Sequence, residues 1–219
     1  MRKVVAGAFL SLDGVMQAPG GPEEDPSGGF KFGGWMFPQF DEALGKKMDE
    51  SFSEPFDLLL GRKTYEIFAA YWPYQDDEIG RAFDRATKYV ATRSKLQLTW
   101  KNSVALRGDA AEEVAGLKQQ DGPTLLIQGS SDLIQSLLAR DLIDEFRLVI
   151  APIVLGDGKK LFGRGAIPVG LELVSSQTST TGVTMSTYVR EGRVTTGSFA
   201  DDEPSAAEIA RRQKLAREG

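Results

Sequence analysis

The chain has 219 residues, 41% hydrophobic and 26% charged, with a net charge of -5. That length allows one large domain or two small ones around a real core. The acidic balance argues against a broad nucleic-acid face, so any anion site must be a local basic cluster. There is no cysteine and no histidine, which removes disulfides, thiolate chemistry, Ser-His-Asp catalysis and histidine-ligated zinc; no metal is expected. No run is apolar for long enough to span a membrane or to form a secretory leader, so a cytoplasmic protein is expected.

Residues 3–10 are small and apolar and read as a central strand, followed by a turn at Asp13-Gly14. Residues 17–34 are loaded with glycine, proline and acids. They read as a mobile loop, because one strand before them cannot make a domain. Phe40, Ala43, Leu44, Met48 and Phe52 recur at helical spacing, which predicts a helix over 39–52. Leu58-Leu59-Leu60 predicts a strand buried on both faces. Gly61 breaks it, and Tyr65, Phe68 and Ala69 resume helical spacing until Trp72-Pro73. A helix over Ile79, Ala82, Phe83 and Ala86 leads to strands at 88–92 and 103–106. Asp109 and Glu112 form a capping box before the next helix. A strand at 124–128 feeds a helix carrying Leu133, Ile134, Leu137 and Leu138, and 145–151 is a further strand. Gly156-Asp157-Gly158-Lys159-Lys160 is a glycine-rich basic loop. Residues 171–178 and 183–190 predict an antiparallel hairpin. Strands alternating with helices for 150 residues make an α/β domain, with a mostly parallel central sheet and an antiparallel hairpin at its edge. One domain is expected over 1–197, with 198–219 a polar tail that can form a short helix.

Three strands end in turns of small, polar or basic residues. These are Gly61-Arg62-Lys63-Thr64, Thr92-Arg93-Ser94-Lys95 and Gln128-Gly129-Ser130-Ser131. In a parallel sheet all three emerge at the carboxyl edge, where open α/β sheets bind ligands. Arg62 and Thr64 beside free helix N–H groups suit a pyrophosphate, and Arg93, Ser94 and Lys95 suit a terminal phosphate dianion. Gly129 and Ser130 suit close backbone approach to another phosphate. The ordinary alternatives are solvated basic turns and hydroxyls that merely cap their helices.

These turns occur in order with Ser11-Leu12-Asp13-Gly14, Leu142-Ile143-Asp144-Glu145-Phe146 and Pro152-Ile153-Val154-Leu155-Gly156-Asp157-Gly158-Lys159-Lys160-Leu161-Phe162. As a set, from about residue 3 to 190, the chain resembles the dihydrofolate reductase superfamily, in the branch of the reductase domain of bacterial riboflavin biosynthesis. The resemblance implies a dihydrofolate reductase-like fold and an NADPH-dependent reductase. It implies that Arg62, Lys63 and Thr64 approach the pyrophosphate and Arg93 and Ser94 the 2′-phosphate. It also implies that Gly129-Ser130-Ser131 lies along the cofactor, and that the segment from Ser11 closes over nicotinamide and substrate.

Without histidine, the proton needed for reduction must come from a carboxylic acid, tyrosine, lysine or water. Asp41 shares a helical face with Leu44 and Met48, where an apolar edge would raise its pKa; the plainer reading is an acid at the positive end of its helix. Dihydrofolate reductases carry an acid in this helix after a Trp and a Pro, and Trp35-Met36-Phe37-Pro38-Gln39-Phe40-Asp41 is similar, with the acid one residue later. Asp13 competes for the role through the resemblance and is otherwise a turn former. Trp35 and Phe37 can stack on a flat heterocycle or anchor the loop. Lys159 and Lys160 offer a substrate phosphate contact or a solvated turn. No deaminase zinc motif and no P-loop run is present. The expectation is an NADPH-dependent reductase of a small heterocycle, a ribosylaminopyrimidine or a pterin, working as a homodimer without nucleic-acid or membrane partners. The alternative is a non-catalytic NADPH-binding or sensing protein.

Overall fold

The structure, a computed structural model, describes residues 1–163, 166–199 and 203–218. The strands are β1 (Val4–Ser11), β2 (Phe56–Gly61), β3 (Lys88–Ala91), β4 (Ser103–Leu106), β5 (Thr124–Ile127), β6 (Glu145–Ala151), β7 (Gly170–Thr178) and β8 (Thr184–Gly192). They form one sheet in the order β4-β3-β2-β5-β1-β6-β8-β7. Strands β4 to β6 in that order are parallel, and β8 and β7 complete the sheet antiparallel. The expected architecture and its terminal hairpin are both present. Helices are α1 (Glu42–Ser51), α2 (Arg62–Tyr71), α3 (Glu78–Arg85), α4 (Ala110–Lys118), α5 (Ser131–Leu138) and α6 (Ala206–Glu218).

The leucine run of β2 shows why the sheet lies inside the molecule. Successive strand residues face opposite sides, and both sides here are apolar. Leu59 packs with Ala6, Ile127, Ile134 and Phe146 on one face, while Leu58 and Leu60 pack with Val5, Tyr65, Phe83 and Trp100 on the other. A third cluster, with Trp35, Met36, Leu44, Val183 and Met185, joins α1 to β8. At the amino edge of the parallel strands, Arg2 is buried against Asp57 and donates to Pro123 O at 2.7 Å. Asp57 also accepts the Thr87 N–H at 3.0 Å. This ties neighbouring strands together at the edge away from their carboxyl ends.

Two elements differ from expectation. The first helix begins at Glu42, because Phe37–Gln39 around Pro38 forms a separate 3-10 turn. Residues 17–34 are also packed rather than hanging free. Gln17 Nε2 donates to Asp25 O and Ser27 O, both at 2.9 Å, and Trp35 Nε1 donates to Gln17 O at 2.8 Å. Lys159 pairs with Asp25 from the loop after β6. The segment is therefore a strap fastened across the carboxyl edge. Helix α6 follows with no buried residue.

The exits of β2 and β5 are held unusually close. A Cβ on Gly61 would lie 2.0 Å from Ser130 Oγ and 3.0 Å from its Cβ, so a side chain there would force Ser130 to shift. Gly61→Ala should lower the urea-unfolding free energy by about 1–3 kcal/mol, the scale of core overpacking. Ser130→Gly in the same chain should recover most of that loss. A Gly61→Ala protein as stable as the parent would show that the two turns do not touch.

Candidate functional site

Three helices begin on an aspartate whose carboxylate takes up their first N–H groups. Asp41 accepts from Leu44 at 2.9 Å, Asp77 from Gly80 at 2.7 Å, and Asp109 from Ala111 and Glu112 at 3.0 and 3.1 Å. Helices α2 and α5 differ. Their N-cap residues, Gly61 and Ser130, make no side-chain cap. Both helices leave adjacent parallel strands, so their free N–H groups and positive dipole ends sit together. Gly129, at φ 105°, adds a second close approach: a Cβ there would lie 3.2 Å from Thr64 Oγ1.

These turns border one cleft of about 1410 Å³ at the carboxyl edge of the sheet. Gly61, Arg62, Lys63, Thr64, Thr92, Arg93, Ser94, Gln128, Gly129, Ser130 and Ser131 all line it, whereas Lys95 does not. Thr64 is the third residue of α2 rather than its cap, because the helix starts directly at Arg62. Arg62 also has a partner one turn along its helix. Its Nη1 donates to both oxygens of Glu66, at 3.0 and 2.8 Å. In the turn after β3, Thr92 Oγ1 and Ser94 Oγ lie 2.9 Å apart, and Arg107 Nη1 donates to Ser94 O at 2.7 Å. Gln128 lies over β1 at Gly7, where a Cβ would come within 2.7 Å of its Nε2.

The two expected proton donors are placed differently. Asp13 Oδ1 accepts from the Leu155 N–H at 3.0 Å and the Ser11 hydroxyl at 2.7 Å; Oδ2 accepts from the Gly156 N–H at 2.9 Å. These donors, Leu155 foremost, hold its carboxyl far below the usual carboxylate range. Asp13 thus fastens the chain after β1 to the loop after β6, and does not line the cleft. Asp41 precedes its helix in extended backbone, φ -137° and ψ 178°, and so does not share the Leu44 and Met48 face. Its Oδ2 accepts from Thr180 Oγ1 at 2.7 Å and the Thr180 N–H at 2.8 Å. The Thr180 hydroxyl first, then the Leu44 N–H, bring its pKa down to about 2.

Of the expected substrate contacts, Ser11 is buried beneath Asp13 and Trp35 is the strap's anchor; neither lines the cleft. Phe37 does line it and is 80% exposed. The rest of that wall was hidden in the sequence. Phe68, Tyr71 and Trp72 look like core residues at helical spacing, and in part they are: Trp72 and Phe83 ring centroids lie 4.8 Å apart. Only the fold shows that they also face the cleft, with Phe40 opposite on the approach to α1. The strap contributes Glu23, Glu24 and Asp25. Glu24 Oε2 accepts from the Gly20 N–H at 2.7 Å, yet burial pushes its carboxyl pKa up.

A mostly parallel sheet with an antiparallel hairpin edge, and a cleft over its carboxyl ends, make up a dihydrofolate reductase-like fold. A family model for the RibD C-terminal domain matches residues 2–185, and the chain belongs to that family. It is 27% identical over 197 residues to the uncharacterized protein YyaP of Bacillus subtilis (strain 168), covering 85% of this chain and 94% of that one. Among solved structures, it is similar to a pyrimidine reductase-like protein from Corynebacterium diphtheriae, with TM-score 0.59 and 12% identity over 87% of this chain and 92% of the other. It is also similar to the dihydrofolate reductase of Enterococcus faecalis complexed with NADP(H), with TM-score 0.54 and 17% identity over 86% and 96%. At these identities the likeness is one of fold.

The two locked aspartates set an acid limb of stability. A carboxyl whose pKa is lowered by folding stabilises the protein above its unfolded value, about 3.9, and that contribution is lost as pH falls through the folded value. Thermal midpoints should therefore drop between about pH 4 and pH 2 for Asp41, and further below for Asp13. Asp41→Asn should melt lower than the parent at neutral pH and show a shallower acid limb. An unchanged limb in Asp13→Asn and Asp41→Asn alike would contradict these bonds.

Proposed function

We propose that the protein is an NADPH-dependent reductase that passes a hydride to a small heterocycle. The observation that carries this reading is the pair of uncapped helix starts, α2 and α5, facing one cleft beside a basic turn. A pyrophosphate fits the free N–H groups beside Thr64, where the close packing of Gly61 on Ser130 and of Gly129 on Thr64 holds the two helix starts together. Arg93, with the Thr92 and Ser94 hydroxyls one strand away, suits the 2′-phosphate, since a dianion asks for both charge and several donors. Family membership and the fold shared with an NADP(H)-complexed dihydrofolate reductase support the same cofactor. NADPH, when bound, supplies the hydride; the chain's residues orient the ring, exclude water beneath the strap and place a proton. A sensing protein without turnover is the second reading, favoured by the fact that Asp13 and Asp41 are tied into structural bonds. Glu24 weighs against it, because it is a cleft carboxyl whose protonated form is favoured by burial.

Calorimetric titration tests the cofactor assignment. NADPH should bind more tightly than NADH, and Arg93→Ala should bring the two together. Arg62→Ala should weaken both by about 1–3 kcal/mol, the range for a charged hydrogen bond, less whatever Glu66 offsets. Equal affinity for NADH and NADPH in the parent would remove the 2′-phosphate role.

The same reading includes a second copy of the chain. Strand β7 is the nine-residue free edge of the sheet; Glu172 and irregularities at Gly170/Leu171 and Leu173/Ser175 partly blunt it, but Leu173 and Val174 stay 53% and 58% exposed. Apolar side chains on an open edge are ordinarily covered. Sedimentation of the parent should show a dimer, and Leu173→Lys with Val174→Lys should give a monomer. A monomeric parent would contradict the pairing.

A further inference from the structure

We infer that the acceptor reduced in this cleft is a flat, apolar heterocycle that carries no phosphate; this rests on the reductase reading above. The cleft has two chemically distinct ends, and α2 spans both. Arg62 and Lys63 occupy its first turn, whereas Phe68 and Tyr71 lie five or more residues on, roughly 7 Å or more along a helix. The cations Arg62, Lys63 and Arg93 thus stand with the turns assigned to the cofactor.

The far end offers rings. Tyr71 is 53% exposed and Phe37 and Phe40 also present open faces, with Phe68 and Trp72 behind them. Such surfaces favour stacking or edge contact with a planar ligand. Charge at this end disfavours an anion. Among the described residues lining it, Lys159 is the cation, and its ammonium is already held by Asp25 and by Ser27 Oγ at 3.0 Å. Glu23 and Glu24 border the same strap. Behind Phe9, Met48 and Phe52, a small annex of about 40 Å³ reaches Arg147, but that guanidinium donates to Glu145 Oε1 at 2.7 Å. A phosphate dianion asks for charge and several donors together. At this end Lys159 and Arg147 are each shared with a carboxylate, and among the described lining residues no hydroxyl turn or free helix start stands beside them. Desolvating a phosphate next to Glu23 and Glu24 is therefore unfavourable. Of the two acceptor classes expected from the sequence, the phosphorylated ribosylaminopyrimidine is therefore the poorer fit.

Three probes separate ring from phosphate. Lumichrome, riboflavin and riboflavin 5′-phosphate share a tricyclic framework, and the last two differ only by the phosphate. Each would be titrated by calorimetry into protein saturated with the unreactive NADP⁺, after NADP⁺ binding itself has been measured. Lumichrome should bind, and riboflavin should bind at least about tenfold more tightly than riboflavin 5′-phosphate, a gap well above titration error. Phe37→Ala with Tyr71→Ala, both exposed positions, should weaken lumichrome at least about fivefold by removing stacking area, with NADP⁺ affinity unchanged. Binding of riboflavin 5′-phosphate as tight as that of riboflavin, or tighter, would overturn the inference. So would absence of lumichrome binding, or lumichrome binding that ignores the double variant. Failure of NADP⁺ to bind would instead overturn the cofactor reading on which the inference stands.

Discussion

The contact on which the site depends is the approach of Gly61 to Ser130. It brings the exits of β2 and β5 together and sets two helix starts side by side, each without a side-chain cap. Helix N–H groups left unbonded carry a cost that a side chain normally removes. In α1, α3 and α4 an aspartate does so. In α2 and α5 the same aspartate would bring a negative charge into the cleft. The chain instead leaves those donors to solvent or to an anion, and the sheet order makes them neighbours. Ordinary capping elsewhere and its absence here together define where a phosphate can go.

Around that contact, the carboxylates divide by task. Asp13 and Asp41 are consumed as multi-bond acceptors that join distant segments, Asp13 to the loop after β6 and Asp41 to Thr180 in the turn before β8. A carboxylate that accepts three or four hydrogen bonds is a poor proton source at neutral pH. Asp25 is spent on Lys159, and the strap it holds forms part of the cleft wall. Glu24 is an acid in that wall whose pKa is raised by burial.

Much of the fold was readable because its signals are local. The leucines of β2, the Asp109 capping box and the alternation of strands with helices each reflect periodicity or backbone chemistry that neighbours in sequence decide. The three polar turns were found for the same reason, and parallel topology then places them at one edge. The site's other half was not legible. Whether Asp41 faces a cleft depends on the 3-10 turn at Phe37–Gln39, which delays the helix and swings the aspartate toward Thr180, 139 residues away. Phe68, Tyr71 and Trp72 are indistinguishable from core residues until α1 and the strap are seen across from them. Arg62 pairs with Glu66 at i,i+4 on the same helix, a spacing that places the two side chains together but does not say whether the cation stays free for a ligand.

Residue-resolved amide hydrogen exchange, with and without NADPH, tests the central claim most directly. Slowed exchange is expected at residues 62–64 of α2 and 131–133 of α5, where no side chain holds the N–H groups. The aspartate-capped starts at 42–44, 78–80 and 110–112 should change little. Protection confined to those capped starts, or no protection at α2 and α5 while NADPH is bound, would contradict a cofactor held by the paired helix termini.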